Sequence, residues 1–342
     1  MTQMRQTSSS NNRNTNSQLL TEALMPVLRR LEHLKPLLKS YLSTQTKASQ
    51  QIIDHVCSSQ GKLVRPALFY LVCDMTGYQG KHLHPIAAVC EYVHTASLLH
   101  DDVVDSSQLR RNKPSANSIW GDESSVLVGD LIYSTASELM ADTGYLEIVK
   151  TFANSIKKMS EGELLQLESL FDVLVPEETY FKILHGKTAT LMGSICKAAG
   201  VLSEVSNEQK NALEHFGLYI GTAFQLVDDA LDYIGDKNTV GKEVHADLLE
   251  GKITLPIILL REQANESEKA QLAKIFNGDT IHLEALNSII DLVLEKHIPA
   301  KVMEIAEDYT RKALTLLKNH FPESNARANL ESVARSLVYR LS

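Results

Sequence analysis

No run of eighteen or more apolar residues occurs in this 342-residue chain, so no segment reads as a membrane-spanning helix. Cysteine is scarce as well. Cys57, Cys73, Cys90 and Cys196 lie far apart in apolar surroundings without CxxC spacing, which argues against a disulfide framework or a zinc site and for reduced core residues of a cytoplasmic protein. Positive charge is in deficit, with 34 Lys and Arg against 42 Asp and Glu. That balance argues against a nucleic-acid partner gripped through a basic face and leaves only local basic sites. Residues 1–17, MTQMRQTSSSNNRNTNS, contain arginines but no acid and no apolar run. They lack the apolar core of a secretory signal, and a disordered polar tail is expected rather than a weakly amphipathic transit peptide.

Period-two alternation, the mark of a half-buried strand, is also missing. From residue 18 onward apolar residues recur three and four apart, as in Leu20, Leu24, Val27, Leu28 and Leu31, then Leu34, Leu37 and Leu38, and this is helical spacing. Breakers at GYQG (77–80), NKP (112–114), DTG (142–144), VPEE (175–178), GDKNTVGKEV (235–244) and FPESN (321–325) divide the chain into about a dozen helices. No linker or solenoid repeat intervenes. The expected fold is therefore all-α, one large helical bundle over 18–342, and a hydrophobic fraction of 44% can fill its core.

Two of the expected helices, 84–105 and 214–236, each end in the same acidic pattern. HDDVVD supplies Asp101, Asp102 and Asp105; VDDALD supplies Asp228, Asp229 and Asp232. Residues four apart on a helix lie about 40° apart around its axis, so Asp101 with Asp105, and Asp228 with Asp232, form two-carboxylate claws. Carboxylates at a helix C-terminus oppose the helix dipole and repel one another unless a cation sits among them. Few carboxylates and hard oxygen donors suit Mg²⁺, which keeps water ligands and completes its octahedron with phosphate oxygens. One such cluster is commonly a solvated helix end, but two that cap strongly apolar helices point to a shared metal site.

Cations that could meet the phosphate are spread between the claws: Lys62 and Arg65 in GKLVRP, Arg110 and Arg111 after the first claw, Lys187 with Thr188 in GKTAT, Lys242 in VGKEV and Lys252 in EGKITLP. Each alone reads as a surface charge; together they outline two diphosphate pockets. The ordered series GKLVRP, HTASLLHDDVVDSSQLRR, VGD, GELLQL, KTA, GTAFQLVDDALDY, GK and EGKITLP resembles the trans-isoprenyl diphosphate synthases, or polyprenyl synthetases, from about residue 20 onward.

The resemblance implies a prenyltransferase of the isoprenoid-synthase helical fold that condenses isopentenyl diphosphate head-to-tail onto an allylic diphosphate. It implies that Asp101, Asp105 and Asp228, with Asp232 in the second claw, hold about three Mg²⁺ ions. Arg110, Lys187 and Lys242, with Lys252 nearby, would grip the allylic diphosphate, and Thr188 and Gln225 would flank the allylic carbon. Lys62, Arg65, His94 and Arg111 would hold isopentenyl diphosphate. A lone histidine on an apolar helix is by default a core residue, so His94 takes its binding role only from the family position. A homodimer is expected on the same ground.

Product length should be set along the helix that carries the first claw. Turn by turn before Asp101 come Ser97, Val93, Cys90, Val89 and Ile86, with Ala96 beside them, and none of these is aromatic. In the resembled family small residues four and five positions before the first aspartate accompany long products, so Ala96 and Ser97, with Val93 below, imply a long-chain, octaprenyl-range synthase primed by farnesyl diphosphate. Asp101 to Ile86 spans roughly 22 Å of wall. The floor is sought on the helix at 123–141, at Leu131, Ser134, Thr135 or Leu139. Two departures stand out: Asn112 and His245 occupy positions usually held by glycine. A short-chain synthase is the nearest alternative. A class I terpene cyclase normally carries a different second metal motif, and a non-catalytic lipid-binding subunit would not keep two intact claws.

Overall fold

The computed structural model describes residues 20–58, 61–234, 245–278, 281 and 283–338. A 3₁₀ turn, Met25–Val27, leads into α1 (Leu28–Ser40), followed by α2 (Lys47–Ser58), α3 (Val64–Thr76) and α4 (Leu83–Val104). In α3 every residue from Pro66 to Cys73 is buried, and α4 buries Ile86 to Val93 without a break. A helix apolar on all sides belongs inside a bundle. The C-cap of α4 is Asp105, whose N–H bonds the Asp101 carbonyl at 2.8 Å. The first claw thus straddles the helix end.

The chain then turns back in a hairpin of β1 (Leu109–Arg110) and β2 (Lys113–Pro114), paired as Leu109 with Pro114 and Arg110 with Lys113. The two loop residues, Arg111 and Asn112, stand at φ +53° and +61°. Positive φ at both positions is the mark of a type I′ turn, whose twist suits a two-residue hairpin. Asn112 accepts it without glycine, as its short polar side chain allows.

After α5 (Ala116–Trp120), α6 (Asp122–Ala141) packs chiefly on α4. It starts within one residue of the expected floor helix. Helix α7 (Leu146–Glu168) is followed by α8 (Glu177–Leu184), a five-residue π-helical stretch (His185–Ala189) and α9 (Thr190–Leu202). Helix α10 (Asn207–Ile234), which starts seven residues before the expected second-claw helix, packs most extensively on α9 and on α15 (Ile298–His320). Glycine permits the α9 crossing: a Cβ on Gly217 would stand 2.3 Å from the Met192 carbonyl oxygen, and one on Gly221 2.7 Å from the Ala189 Cα. Short α11 (Ala246–Leu249), then α12 (Leu255–Gln263), α13 (Glu266–Ile275), α14 (Leu283–Glu295) and α16 (Asn325–Val338) complete the elements.

The all-α reading stands; among the described residues the hairpin is the sole sheet. Helix α10 serves two apolar clusters. Leu213, Phe216 and Ile220 join the one built around α3 and α4, while Leu226, Val227 and Ala230 join the one built with α12 and α14. The second claw therefore lies at the end of a helix anchored on both sides. All four cysteines are free thiols and three are buried. No helix among the described residues is long and apolar enough to cross a membrane.

Candidate active site

Asp101 is half-buried near the end of α4. Burial and then the neighbouring Glu163 carboxylate push it up to about 6, against the pull of Lys187. Its neighbour Asp102 faces inward instead. Only 3% exposed, it pairs with Arg110 Nε at 2.9 Å and with Arg110 Nη2, while its backbone carbonyl accepts from Asn117 Nδ2 at 3.1 Å. The hairpin thus carries Arg110 back to the helix it left. Asp105 meets Lys252 Nζ at 3.7 Å, and Lys252 also pairs with Glu250. Although burial alone would lower the Lys252 ammonium, the carboxylates of Asp247, Asp105 and Glu250 push it well above its usual range.

Lys187 is held by Glu163 Oε2 at 2.5 Å. That reach depends on two glycines. A Cβ on Gly186 would lie 2.7 Å from the Lys158 carbonyl oxygen and one on Gly162 3.1 Å from the Lys187 nitrogen, so α7 and the π-helical stretch touch backbone to backbone. π-Bulges of this kind recur at functional sites. Lys187, Thr188, Gln225, Asp229, Asp247 and Lys252 all line one open cleft.

Within that cleft the Thr188 hydroxyl donates to Gln225 Oε1 at 2.9 Å and Gln225 Nε2 donates to Asp229 Oδ1 at 2.9 Å. Asp229, 2% exposed, also accepts from the Tyr180 hydroxyl at 2.5 Å. Burial and then the Asp247 carboxylate push Asp229 up to about 8, against those two donated bonds. Asp228, half-buried, adds its charge to Arg65. Asp232 accepts from the His245 N–H at 3.0 Å, which ties the second claw to the start of α11. His245 stands at φ +70°, a left-handed conformation that glycine adopts more easily.

A second cleft, with about 560 Å³ of empty space, is lined by Glu91, His94, Asp102, Arg110 and Arg111 along one face of α4. Burial, then Arg65, Arg111 and Arg110, hold His94 well below its usual range, so it stays neutral. It borders a cavity and is no ordinary core residue. The Arg111 guanidinium packs on Gly61, where a Cβ would come within 2.6 Å of Nη1. Arg65 Nε is buried with no hydrogen-bond partner among the described residues, a donor suited to an incoming anion. Lys62 is exposed beside Leu63, whose φ of +52° marks a strained backbone.

Sequence reasoning grouped Arg110 with Lys187, Lys242 and Lys252. In the structure Arg110, anchored by Asp102, lines the cleft of His94 and Arg111 and also acts on the Asp101 carboxylate of the first claw, whose pKa it lowers. Lys242 lies outside the described residues. Val93 and Ala96 are fully buried and Ser97 is half-buried, its hydroxyl bonded to the His94 carbonyl at 2.9 Å; none of the three lines either of these clefts. Of the floor candidates, Leu131, Thr135 and Leu139 are half-buried and Ser134 is exposed, while Ile132, Ala136 and Met140 form the buried face of α6. Ser134 is thus corrected to a surface position in this chain. Glu163, Asp102, Asp229, Tyr180 and Glu91 were given no role from sequence. The doubled aspartates did carry a signal, because adjacent helical residues point 100° apart and one of each pair must turn inward.

Among the described residues no three carboxylate, histidine or cysteine side chains stand close enough to enclose an ion unaided. The donors nevertheless fit magnesium: all are hard oxygens, Asp101 is crowded by like charge, and Lys252 already brings a cation to Asp105. An ion there would draw its remaining ligands from water and phosphate.

The polyprenyl synthetase family profile matches residues 46–293. The chain belongs to that family. As a polyprenyl synthetase it is a trans-prenyl diphosphate synthase, and so a prenyltransferase. It is 36% identical over 306 residues to octaprenyl diphosphate synthase of Escherichia coli, covering 87% of this chain and 92% of that protein. A short chain isoprenyl diphosphate synthase of Methanothermobacter thermautotrophicus is 32% identical, with 84% and 89% covered. The crystal structure of a polyprenyl synthase from Caulobacter crescentus, complexed with calcium and isoprenyl diphosphate, superposes with a TM-score of 0.88 at 32% identity, covering 93% of this chain and 97% of that one.

Proposed function

We propose that this prenyltransferase is a magnesium-dependent long-chain synthase that extends farnesyl diphosphate with isopentenyl diphosphate to an octaprenyl-range product, as a cytoplasmic homodimer. The observation that carries the reading is the single cleft lined by Lys187, Thr188, Gln225 and Lys252, joined to the first claw by the 3.7 Å contact of Lys252 with Asp105. Asp101, Asp105, Asp228 and Asp232 are the residues that would hold magnesium, which when bound supplies positive charge to the leaving diphosphate.

Arg110, Lys187, Lys242 and Lys252 orient the allylic diphosphate and take up charge as its C–O bond breaks. Thr188 and Gln225 turn oxygen atoms toward the carbon that becomes cationic. Lys62, Arg65, His94 and Arg111 hold isopentenyl diphosphate with its double bond toward that carbon; in support, His94 and Arg111 line one cleft beside α4. A C–C bond forms, a proton leaves the new unit to the released diphosphate, and no side-chain base is needed. His94 serves as a hydrogen-bonding group.

Small residues favour the longer product: Ala96 and Val93 present little bulk, and the one tyrosine between them and Cys90, Tyr92, directs its hydroxyl to the Leu38 carbonyl of α1. Incubation with Mg²⁺, farnesyl diphosphate and isopentenyl diphosphate, followed by product sizing, tests the reading. Long linear diphosphates support it. Short linear products would favour a short-chain synthase, cyclised hydrocarbon a terpene cyclase, and no turnover a non-catalytic subunit.

A further inference from the structure

Thr188 belongs to the π-helical stretch and Gln225 to α10, yet their side chains are fixed to each other by the 2.9 Å bond from the Thr188 hydroxyl to Gln225 Oε1. A glutamine amide has nearly the same shape either way round, so its surroundings must decide which end meets Thr188. Asp229 makes that decision. One helical turn further along α10, its Oδ1 accepts from Gln225 Nε2 at 2.9 Å, which leaves the amide carbonyl toward Thr188.

Asp229 is held in turn by Tyr180: its Oδ2 accepts from the Tyr180 hydroxyl at 2.5 Å, which fixes the carboxyl with Oδ1 turned to Gln225 Nε2. Tyr180 is itself immobilised, 4% exposed and packed edge-on against Phe181 at 5.3 Å. All four residues border the same cleft.

We propose that Tyr180 is a positioning residue for the ionisation step, acting through Asp229 to keep the Gln225 carbonyl oxygen beside Thr188, where its partial negative charge faces the allylic carbon. This rests on the reading above that Thr188 and Gln225 flank that carbon. An oxygen held in place before the cation forms lowers the barrier without reorganisation, whereas a flipped amide would aim N–H groups at developing positive charge.

Steady-state kinetics with farnesyl and isopentenyl diphosphates test it in wild type, Tyr180→Phe, Gln225→Leu and the double variant. Tyr180→Phe should lower kcat roughly 10- to 100-fold, with the KM for isopentenyl diphosphate and the Mg²⁺ requirement within about twofold. The double variant should be no slower than Gln225→Leu, because the effect of Tyr180 passes through Gln225. Losses that multiply, or a loss confined to KM, would overturn the proposal. If Tyr180→Phe does not fold by thermal unfolding, Asp229→Asn carries the same test, since its amide can turn an N–H toward Gln225 and should lower kcat alike; an unchanged kcat there overturns the proposal. A wild type that elongates while Tyr180→Phe keeps full kcat refutes this inference alone, and a wild type that elongates nothing refutes the proposed function together with it.

Discussion

Each acidic cluster divides its aspartates between two duties. Asp101 and Asp228 are half-buried, whereas Asp102 and Asp229 are buried and hold Arg110 and Tyr180. Opposite outcomes are expected for neighbouring substitutions. Asp101→Ala removes a crowded carboxylate, so turnover should fall by orders of magnitude while the thermal midpoint holds or rises; wild-type rates would place the metal elsewhere. Asp102→Ala leaves Arg110 without its partner and should destabilise the fold by about 2 kcal/mol in urea titration, below the range for a fully buried pair because Arg110 keeps part of its surface in water. Ser97→Phe should shorten the product in a sizing assay, and unchanged length would relocate the wall to another helix.

The elements around the site are positioned by close backbone contacts. Gly186→Ala would force its new methyl against the Lys158 carbonyl oxygen at 2.7 Å and the Gly162 Cα at 3.0 Å. The expected cost is about 1–3 kcal/mol in denaturant titration, with a raised KM for the allylic substrate as Lys187 is pushed from Glu163. An unaltered KM would separate that crossing from substrate binding. Sequence made the helices and both claws legible, because apolar spacing and a four-residue aspartate interval are local statements about one helix face. The Asn112 turn was legible for the same reason. The partners of the inner aspartates were not: Tyr180 lies 49 residues from Asp229, and no local pattern announces a bond that only the tertiary fold creates. Nor did a period of 3.6 reveal the π-helical stretch, which breaks that period.

In the whole molecule three of the cations expected to meet diphosphate are already engaged: Arg110 with Asp102, Lys187 with Glu163, and Lys252 with Asp105 and Glu250. Neither Mg²⁺ nor diphosphate alone should compete well, whereas the two together replace every partner. Thermal unfolding should therefore rise clearly only when both are added, approaching about 2.7 kcal/mol at a hundredfold excess over Kd; an equal rise with either alone would contradict the pairing. Exposed Val104, Leu109, Ile119 and Leu127 leave apolar surface around the hairpin and the start of α6, compatible with a second copy. Sedimentation should give twice the mass of one chain, and a monomer would remove that part of the proposal. The wide turn at His185–Ala189 has its own outcome. Two consecutive side chains of this stretch, Lys187 and Thr188, open onto one cavity. Trimming a single residue from this coil would leave the bundle's length nearly intact and swing one of these neighbours into the wall, parting the grip on the leaving group from the oxygen beside the reacting carbon.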